Sequence, residues 1–468
     1  MQEDSYENNH HGYLVLVAWI ACMGALCFGF DTGVVNGSLD FMAKPSQLNL
    51  SAFEQGVVSS GLTFGAAFGA VFGSPLSDRI GRKRLMIWLG VLFTITALGC
   101  GFAPNTMILI IFRVIMGLAV GATSAMVPVY LAEISPAEER GKFVSMNQLL
   151  IVGGQGLAFL INAVLGNTIG LHDAAVWRIM LGITAIPGVL LWFGMYLVPE
   201  SPQWYANKGM FGQALEALCR VRSKAQAEAE INDLKENAAK LKQENAEKAS
   251  FKDFKKPWIL QIVITGSLLG VFQQFAGINS VMYYGTKILT SAGFGSNTSL
   301  YMNIANGVFS VIGAIVGMYT VDRLGRKPLL LIGYVFCAVA LVAIALIGSF
   351  ALHTSWAPFA VLIILLIYIV IDQGTLGPVT WLLNSEIFPV RYRGLGTGIT
   401  IFVLWMANFI VGLVFPVILS ILGISSFYIF AIFCLIGAWF VKVRIPETKG
   451  ASLDSIEKFF RERYEKQK

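Results

Sequence analysis

Residues 73–83 read GSPLSDRIGRK and residues 317–327 read GMYTVDRLGRK, so one short polar stretch occurs twice, 244 residues apart. Two further pairs keep nearly the same separation. Glu386 lies 253 residues after Glu133, and Glu447 lies 247 residues after Glu200. One internal duplication explains all three pairs, so the chain is built from two related halves.

The composition identifies the solvent around these halves. Of 468 residues, 56% are hydrophobic and only 13% are charged, about half the charged fraction of a typical soluble protein. The apolar residues are grouped in blocks of about 20, long enough to cross a hydrocarbon layer of about 30 Å. These blocks lie near residues 13–37, 56–76, 85–103, 107–131, 143–166, 177–198, 258–288, 300–321, 328–350, 358–384, 393–420 and 424–443. We predict an all-α membrane protein of twelve transmembrane helices, in two parallel repeats of six.

The basic residues predict the orientation in a cell membrane. Arg and Lys crowd into the loops that follow even-numbered spans, and the opposite loops hold almost none. By the positive-inside rule both termini are cytoplasmic, and the net charge of +6 reflects topology rather than nucleic-acid binding. The predicted domains are residues 1–204 and 257–450 as six-helix bundles, 205–256 as a cytoplasmic amphipathic helical linker, and 451–468 as a cytoplasmic tail. Parallel halves around a cleft are one design for alternating access.

Several classes of protein fit poorly. The six cysteines form no CxxC pair and the four histidines lie in the N-terminal tail or in loops, so we expect no metal centre and no organic cofactor. No GxxxxGK[ST] stretch occurs, which argues against an ATP-driven pump, and no constellation indicates an enzyme. A non-transporting nutrient sensor usually needs a long signalling tail, whereas this chain ends 18 residues after Gly450.

Ionisable side chains inside spans are costly and mark functional sites. Asp31, Arg113 and Asp372 are such residues. Asp31 and Arg113 each lie about six residues from the same membrane face, on antiparallel spans, roughly 9 Å deep at 1.5 Å per residue. Equal depth permits a pair. A carboxyl whose hydration and distance from a guanidinium change between conformations can carry a proton; a permanent tether is the alternative, and the residues alone leave both open.

Uncharged amides within the spans predict a site for a neutral polyhydroxyl solute. They donate and accept hydrogen bonds without demanding a counter-charge, and an aromatic ring can cover the C–H surface. The candidates are Gln155, Gln273, Gln274, Asn279 and Trp381. The alternative is that the amides only join neighbouring helices. Asp372 could bind the substrate or line a wet vestibule.

Six motifs together resemble the sugar porter family of the major facilitator superfamily over nearly the whole chain. They are DRIGRK (78–83), RVIMGLAVG (113–121), PESPQW (199–204), QQFAGIN (273–279), GPVTW (377–381) and PETKG (446–450). QLNL (47–50), NIANG (303–307) and LWMAN (404–408) are most similar to the bacterial proton-coupled myo-inositol transporters.

The resemblance implies proton-coupled symport of myo-inositol or a related monosaccharide, by a chain that is functional as a monomer in the lipid bilayer. A hexose or pentose proton symporter and a facilitative sugar uniporter are the alternatives. Coupled members carry Asp at the position of Asp31, and Phe28 and Trp405 match pocket positions. Three residues depart from family patterns: Thr184 stands where some coupled members have a carboxylate, Leu404 where many hexose members are polar, and Asp372 where an apolar or aromatic residue is usual.

The remaining motif residues predict a cytoplasmic gating network. Asp78–Arg82 and Asp322–Arg326 are expected to bond across helix ends, linked by Glu133–Arg140 and Glu386–Arg393. Such bonds favour the outward-facing state if they form when the inner side closes. The predicted members are Asp78, Arg82, Glu133, Arg140, Glu200, Asp322, Arg326, Glu386, Arg393 and Glu447. Solvated loops that only fix topology are the alternative.

Overall fold

The computed structural model describes residues 2–136, 139–243, 253, 256–450 and 458–462. These residues form helices and connecting turns, without a strand. The side chains of residues 2–11, 140, 144, 237–243, 322, 385, 390 and 391 lie outside the description. Most of the predicted tail, and the end of the predicted linker, also fall outside it.

The first half contains six membrane-length segments. Its helices are α1 (Gln2–Met42), α2 (Ala52–Ile80), α3 (Arg82–Phe102), α4 (Thr106–Ile134), α5 (Arg140–Asn167), α6 (Val176–Ile183) and α7 (Ala185–Gly194). The sixth segment is divided into α6 and α7 at Thr184. Polar residues begin two of the helices: Ser51 and Glu54 cap α2 reciprocally, and the Asn105 side chain accepts from the N–H of Ile108 at the start of α4.

Three helices that are too short or too polar to span a membrane follow: α8 (Pro202–Asn207), α9 (Phe211–Val221) and α10 (Lys224–Gln243). Their apolar faces pack on one another through Ala206, Ala214, Leu218 and Ile231. Arg222 fixes this group to the first half by donating to the carbonyl oxygen of Ile134 at 3.0 Å, and it also pairs with Glu230. The amphipathic pattern of the sequence therefore produces a small helical cluster against the end of α4.

The second half repeats the first. Its helices are α11 (Pro257–Phe275), α12 (Ile278–Ser291), α13 (Ser296–Leu324), α14 (Arg326–Phe350), α15 (Ala357–Gly374), α16 (Leu376–Glu386), α17 (Val390–Leu422) and α18 (Phe427–Arg444). The pairs α11–α12 and α15–α16 are each one interrupted span. Among the described residues, eleven stretches have membrane length and hydropathy, and the one at Tyr392–Arg444, 53 residues long, covers nearly all of α17 and the whole of α18. Twelve spans result, as predicted.

Small residues allow helices to touch backbone to backbone inside each half. A Cβ atom on Gly65 would lie 2.0 Å from the carbonyl oxygen of Val114, and one on Gly117 would lie 2.0 Å from that of Leu62. Helices α2 and α4 are therefore packed as closely as their backbones permit. This is the way that small residues replace the hydrophobic effect as a packing force in lipid.

The two halves meet along two helix pairs, α2 with α17 and α5 with α13. We call the end of the bundle that carries Arg82 and Arg326 the basic face, and the other end the opposite face. At the opposite face the halves are joined again. The Asn36 side chain of α1 donates to the carbonyl oxygen of Met282 at 2.6 Å and accepts from the hydroxyl of Thr286 at 2.8 Å. The Lys287 ammonium donates to Gln55 of α2.

Candidate functional site

Asp31 and Arg113 form a buried ion pair at the centre of the first half. Two N–H groups of Arg113 donate to the two carboxylate oxygens of Asp31 at 3.0 and 3.1 Å, and both side chains are 1% exposed. Asp31 and Arg113, which the sequence predicts to lie at equal depth, are thus in direct contact. A two-pronged contact of this kind is the strongest form of Arg–carboxylate bond.

The rest of the guanidinium is also occupied. Its Nε donates to the carbonyl oxygen of Val58, and one terminal nitrogen lies 3.4 Å from that of Ser59. The pair therefore ties α1, α2 and α4 together. Both charges are compensated in this conformation, and removal of either partner would leave the other buried and alone.

The amides of the second half form a hydrogen-bonded chain where α11 ends. The Gln274 side chain donates to Gln273 at 2.7 Å, and the Asn279 side chain donates to Gln274 at 2.5 Å. Gly277, at a φ of 98°, makes the turn that brings the start of α12 back toward α11. The break in the span therefore gathers three of the predicted ligands.

Gln155 lies in the first half, on α5. It is 3% exposed, and its side-chain oxygen has no hydrogen-bond partner. A buried acceptor without a donor is uncommon in proteins and costs free energy. Gln155 therefore has capacity for a ligand that the protein itself does not fill.

Three aromatic rings gather where the halves meet. Phe28 of α1 packs edge-on against Trp405 of α17, with ring centroids 5.2 Å apart, and Trp381 of α16 packs against Trp405 at 6.5 Å. Trp405 is buried and its indole N–H has no partner. We call Phe28, Trp381 and Trp405 the aromatic cluster; it joins both halves and offers apolar ring surface with one free donor.

Leu404 is buried and packs against Gly270. A Cβ atom added to Gly270 would lie 3.0 Å from the Cβ atom of Leu404. Gly270 is one turn before Gln273 and Gln274 in α11. A residue that is apolar in this chain thus lies beside the helix that carries the amides.

Asp372 occupies a different environment from the other predicted substrate ligands. It is fully buried, and the polar groups that interact with it are Tyr334 and Cys337 of α14, Tyr368 of α15 and Cys434 of α18. Its side chain forms no hydrogen bond with the amides. The structure places it inside the second half, away from the aromatic cluster.

At the basic face of the first half, Arg82 binds two acids. It contacts Asp78 at 2.8 Å, and two of its nitrogens donate to Glu133 at 3.0 Å. Glu200 accepts from the backbone N–H groups of Arg82 and Lys83, at 2.9 and 3.0 Å. Glu200 thereby compensates the orphan donors at the start of α3.

The second half repeats this arrangement. Arg326 donates to Glu386 at 3.0 Å, and Glu447 accepts from the backbone N–H groups of Arg326 and Lys327, both at 3.0 Å. The hydroxyl of Thr448 donates to Glu386 at 2.6 Å. The duplicated motifs are thus duplicated contacts, and each described ion pair of these motifs joins groups within one half.

Three members of the predicted network are not found in the predicted contacts, either because the structure differs or because it does not describe their side chains. The side chains of Arg140 and Asp322 are outside the described part of the chain. Arg393 does not bond Glu386 in this conformation, and its Nε has no partner. The reason is competition: both oxygens of Glu386 are taken by Arg326 and Thr448.

The sequence reasoning missed the contacts at the opposite face. Asn36, Gln55 and Lys287 link the halves there. A lysine within an apolar span was a visible signal, and by the rule used for Asp31 it should have been considered.

Glu447 provides a test of the basic-face contacts. Burial raises the pKa of its carboxyl, but four backbone N–H donors outweigh burial and hold the pKa below its usual range. A carboxyl whose pKa is lower in the folded state stabilises the fold at any pH above its unfolded-state pKa, which is about 4.3. This stabilisation is lost as the pH falls through the folded-state pKa.

We expect Glu447→Gln to lower the stability of the second half by on the order of 1 kcal/mol at neutral pH, with the difference vanishing in acid. Thermal unfolding of the detergent-purified protein at both pH values measures this, with the exposed Glu216→Gln as the control; a difference independent of pH would contradict it.

Comparison with known proteins agrees with this architecture. A family model described as "Sugar (and other) transporter" matches residues 17–460. The chain belongs to this family of sugar transporters. The major myo-inositol transporter IolT of Bacillus subtilis (strain 168) is 45% identical to this sugar transporter over 456 residues, covering 97% of the chain and 96% of the relative.

Solved structures show the same major facilitator fold. The xylose transporter XylE from E. coli, in a partially occluded inward-open conformation, matches this sugar transporter with a TM-score of 0.80 at 28% identity, covering 94% of the chain and all of XylE. The proton:xylose symporter XylE bound to 6-bromo-6-deoxy-D-glucose matches with a TM-score of 0.77 at 28% identity, covering 96% of the chain and 99% of the neighbour. Proteins of this family move solutes and are not enzymes.

Proposed function

We propose that this sugar transporter couples the import of myo-inositol, or a related neutral monosaccharide, to the entry of protons across the cell membrane. The observation that carries the proposal is the Asp31–Arg113 pair, a carboxylate and a guanidinium in contact with both side chains buried. A sequence identity of 45% to a myo-inositol transporter supports the solute, and a structural likeness to a proton symporter supports the coupling ion.

The coupling follows from linkage between charge and conformation. In this conformation Arg113 attracts the Asp31 carboxylate through two hydrogen bonds. A proton that reaches Asp31 from outside removes that attraction and frees α1 to move relative to α4. Substrate that bridges the halves then stabilises the closed intermediate, and the return of Arg113 to Asp31 on the inner side expels the proton. No organic cofactor takes part, and the proton is the coupling ion.

The substrate site lies in this proposal between Gln155 and the chain of Gln273, Gln274 and Asn279, with the aromatic cluster as one wall. Unfilled groups support it: the side-chain oxygen of Gln155 and the indole N–H of Trp405 have no protein partner. A cyclic polyol presents hydroxyls all around its ring and C–H faces above and below, which amides and aromatic rings respectively match. Leu404 contributes no hydroxyl partner, which disfavours glucose.

We also propose an orientation and a conformation. The basic face is cytoplasmic, as the loop charges indicate. The hydrogen bonds of Asn36 and Lys287 close the outer face, while the described networks of the basic face stay within their own halves. This is the arrangement of an inward-facing transporter. Residues 1–204 and 257–450 act as the two moving bodies, connected by the helices of residues 205–256, and one chain suffices.

Gln155 tests the substrate site. Gln155→Leu removes the unfilled acceptor and breaks no described hydrogen bond of the protein, so the loss appears in binding. We expect KM for the preferred solute to rise about 10-fold, equivalent to 1.4 kcal/mol for one hydrogen bond left unmade, with little change in kcat. Uptake by purified protein in vesicles gives both constants.

The control is Leu157→Ala, a half-exposed side chain on the same helix, which should leave KM unchanged. Competition of labelled myo-inositol uptake by unlabelled glucose, xylose and fructose ranks the solutes in the same vesicles. If glucose alone competed, the substrate assignment would be wrong while the transport cycle would stand.

A further inference from the structure

Asp372 lies two residues before the end of α15, at the break that divides span ten into α15 and α16. Its side chain is 0% exposed, and neither carboxyl oxygen has a hydrogen-bond partner. Asp31, in contrast, receives two N–H groups from Arg113. Asp31 is thus a buried acid with full compensation, and Asp372 is a buried acid with none.

The groups around Asp372 carry no positive charge. Tyr334 and Cys337 face it from α14, Cys434 from α18, and Tyr368 lies on its own helix. Helices α12, α13 and α16 also pack against α15, and none of their described Lys or Arg side chains interacts with the carboxyl. An ionised carboxylate in such surroundings would be strongly disfavoured.

A proton resolves the conflict. The Tyr334 hydroxyl is buried and also lacks a partner, and the Tyr368 hydroxyl donates to the carbonyl oxygen of Ala276 at 2.8 Å, so neither is hydrogen-bonded to the acid. We propose that Asp372 is a second proton-binding site, separate from the Asp31–Arg113 pair, and that it carries its proton in this conformation. One proton is taken up from water and one O–H bond forms.

The position at the helix break gives this site a role. The backbone at Thr375 has φ −131° and ψ −73°, outside the helical range, and its N–H donates to the carbonyl oxygen of Asp372 at 3.2 Å. A neutral acid lets the broken span remain in an apolar interior without an uncompensated charge. The site rests on no assumption about the transported solute or about Asp31, so its failure and that of the proposed function are distinguishable.

Infrared spectroscopy of the full-length protein in lipid vesicles tests the site. A protonated carboxylic acid has a carbonyl stretch well separated from the amide bands. We expect this band in the wild-type protein at neutral and mildly alkaline pH, its loss in Asp372→Asn, and its retention in Asp31→Asn. In Tyr334→Phe the band should remain, because the acid has no hydrogen bond to that hydroxyl.

Asp372→Glu in protein labelled with carbon-13 aspartate provides a second route if Asp372→Asn does not fold, because the acid at position 372 is then unlabelled and its band keeps the unlabelled frequency. A wild-type protein without the band would overturn the site, since an ionised Asp372, or one paired with an alkali cation, gives no such absorption. A band that carries the label in Asp372→Glu would also overturn it.

Discussion

Asp31→Asn is expected to abolish all accumulation of substrate driven by a proton gradient while solute exchange across the membrane continues. Asparagine keeps the shape of the carboxyl and can still contact Arg113, but it cannot bind and release a proton. Uptake should therefore stop when the inner and outer concentrations are equal. Exchange of labelled for unlabelled solute needs no net proton movement, and it should persist.

Two measurements on the same vesicles separate these effects. Uptake under an imposed proton gradient reports coupling, and counterflow with unlabelled solute preloaded inside reports the alternating motion. Glu216→Gln is the control, because Glu216 is an exposed acid in the linker and outside the ion pair. Full accumulation by Asp31→Asn would leave Asp31–Arg113 as a structural tether and make the protein a transporter coupled in another way, or a uniporter.

Arg113 is expected to give the largest effect on stability. Arg113→Leu removes the cation but leaves Asp31 buried at 1% exposure without its two donors. Breaking a buried pair from one side costs about 3–5 kcal/mol, a large fraction of the stability of a typical folded protein. Asp31→Asn combined with Arg113→Leu removes both charges, and it should restore much of the stability that Arg113→Leu loses.

The measurement is thermal unfolding of wild type, both single variants and the double variant, which together form a double-mutant cycle. We expect a coupling energy of a few kcal/mol for residues in direct contact. The exposed Arg220, which contacts Glu216 in the linker, provides the comparison, because a surface pair contributes about 0–1 kcal/mol. Additive effects of Asp31→Asn and Arg113→Leu would contradict a direct charge interaction.

The sequence predicted the twelve spans and the two repeats, because both depend on period and length. Apolar blocks of membrane length are local features, and the repeated DRIGRK-type stretch relates two halves of one chain. The Asp31–Arg113 contact was also predictable, since depth along two antiparallel helices follows from counting residues. The structure adds that both oxygens of Asp31 are engaged.

Other features needed coordinates. Counting residues gives the depth of Asp372 but not its rotation about the axis of α15, and the structure leaves both carboxyl oxygens buried without a bond to the amides. The expected Glu386–Arg393 bond depended on spacing alone, and Arg326 and Thr448 occupy Glu386 instead. The Asn36–Met282 contact joins residues 246 positions apart and has no local signature.

Symport requires that solute and proton cross the membrane together. Proton movement can therefore be measured while a concentration gradient of the solute is the only driving force. Purified protein is sealed into vesicles without an imposed pH gradient, and myo-inositol is added outside with a pH indicator in the medium. We expect the external medium to become alkaline as the solute enters wild-type vesicles, and we expect no such change with Asp31→Asn. Entry of myo-inositol into wild-type vesicles at constant external pH would contradict it.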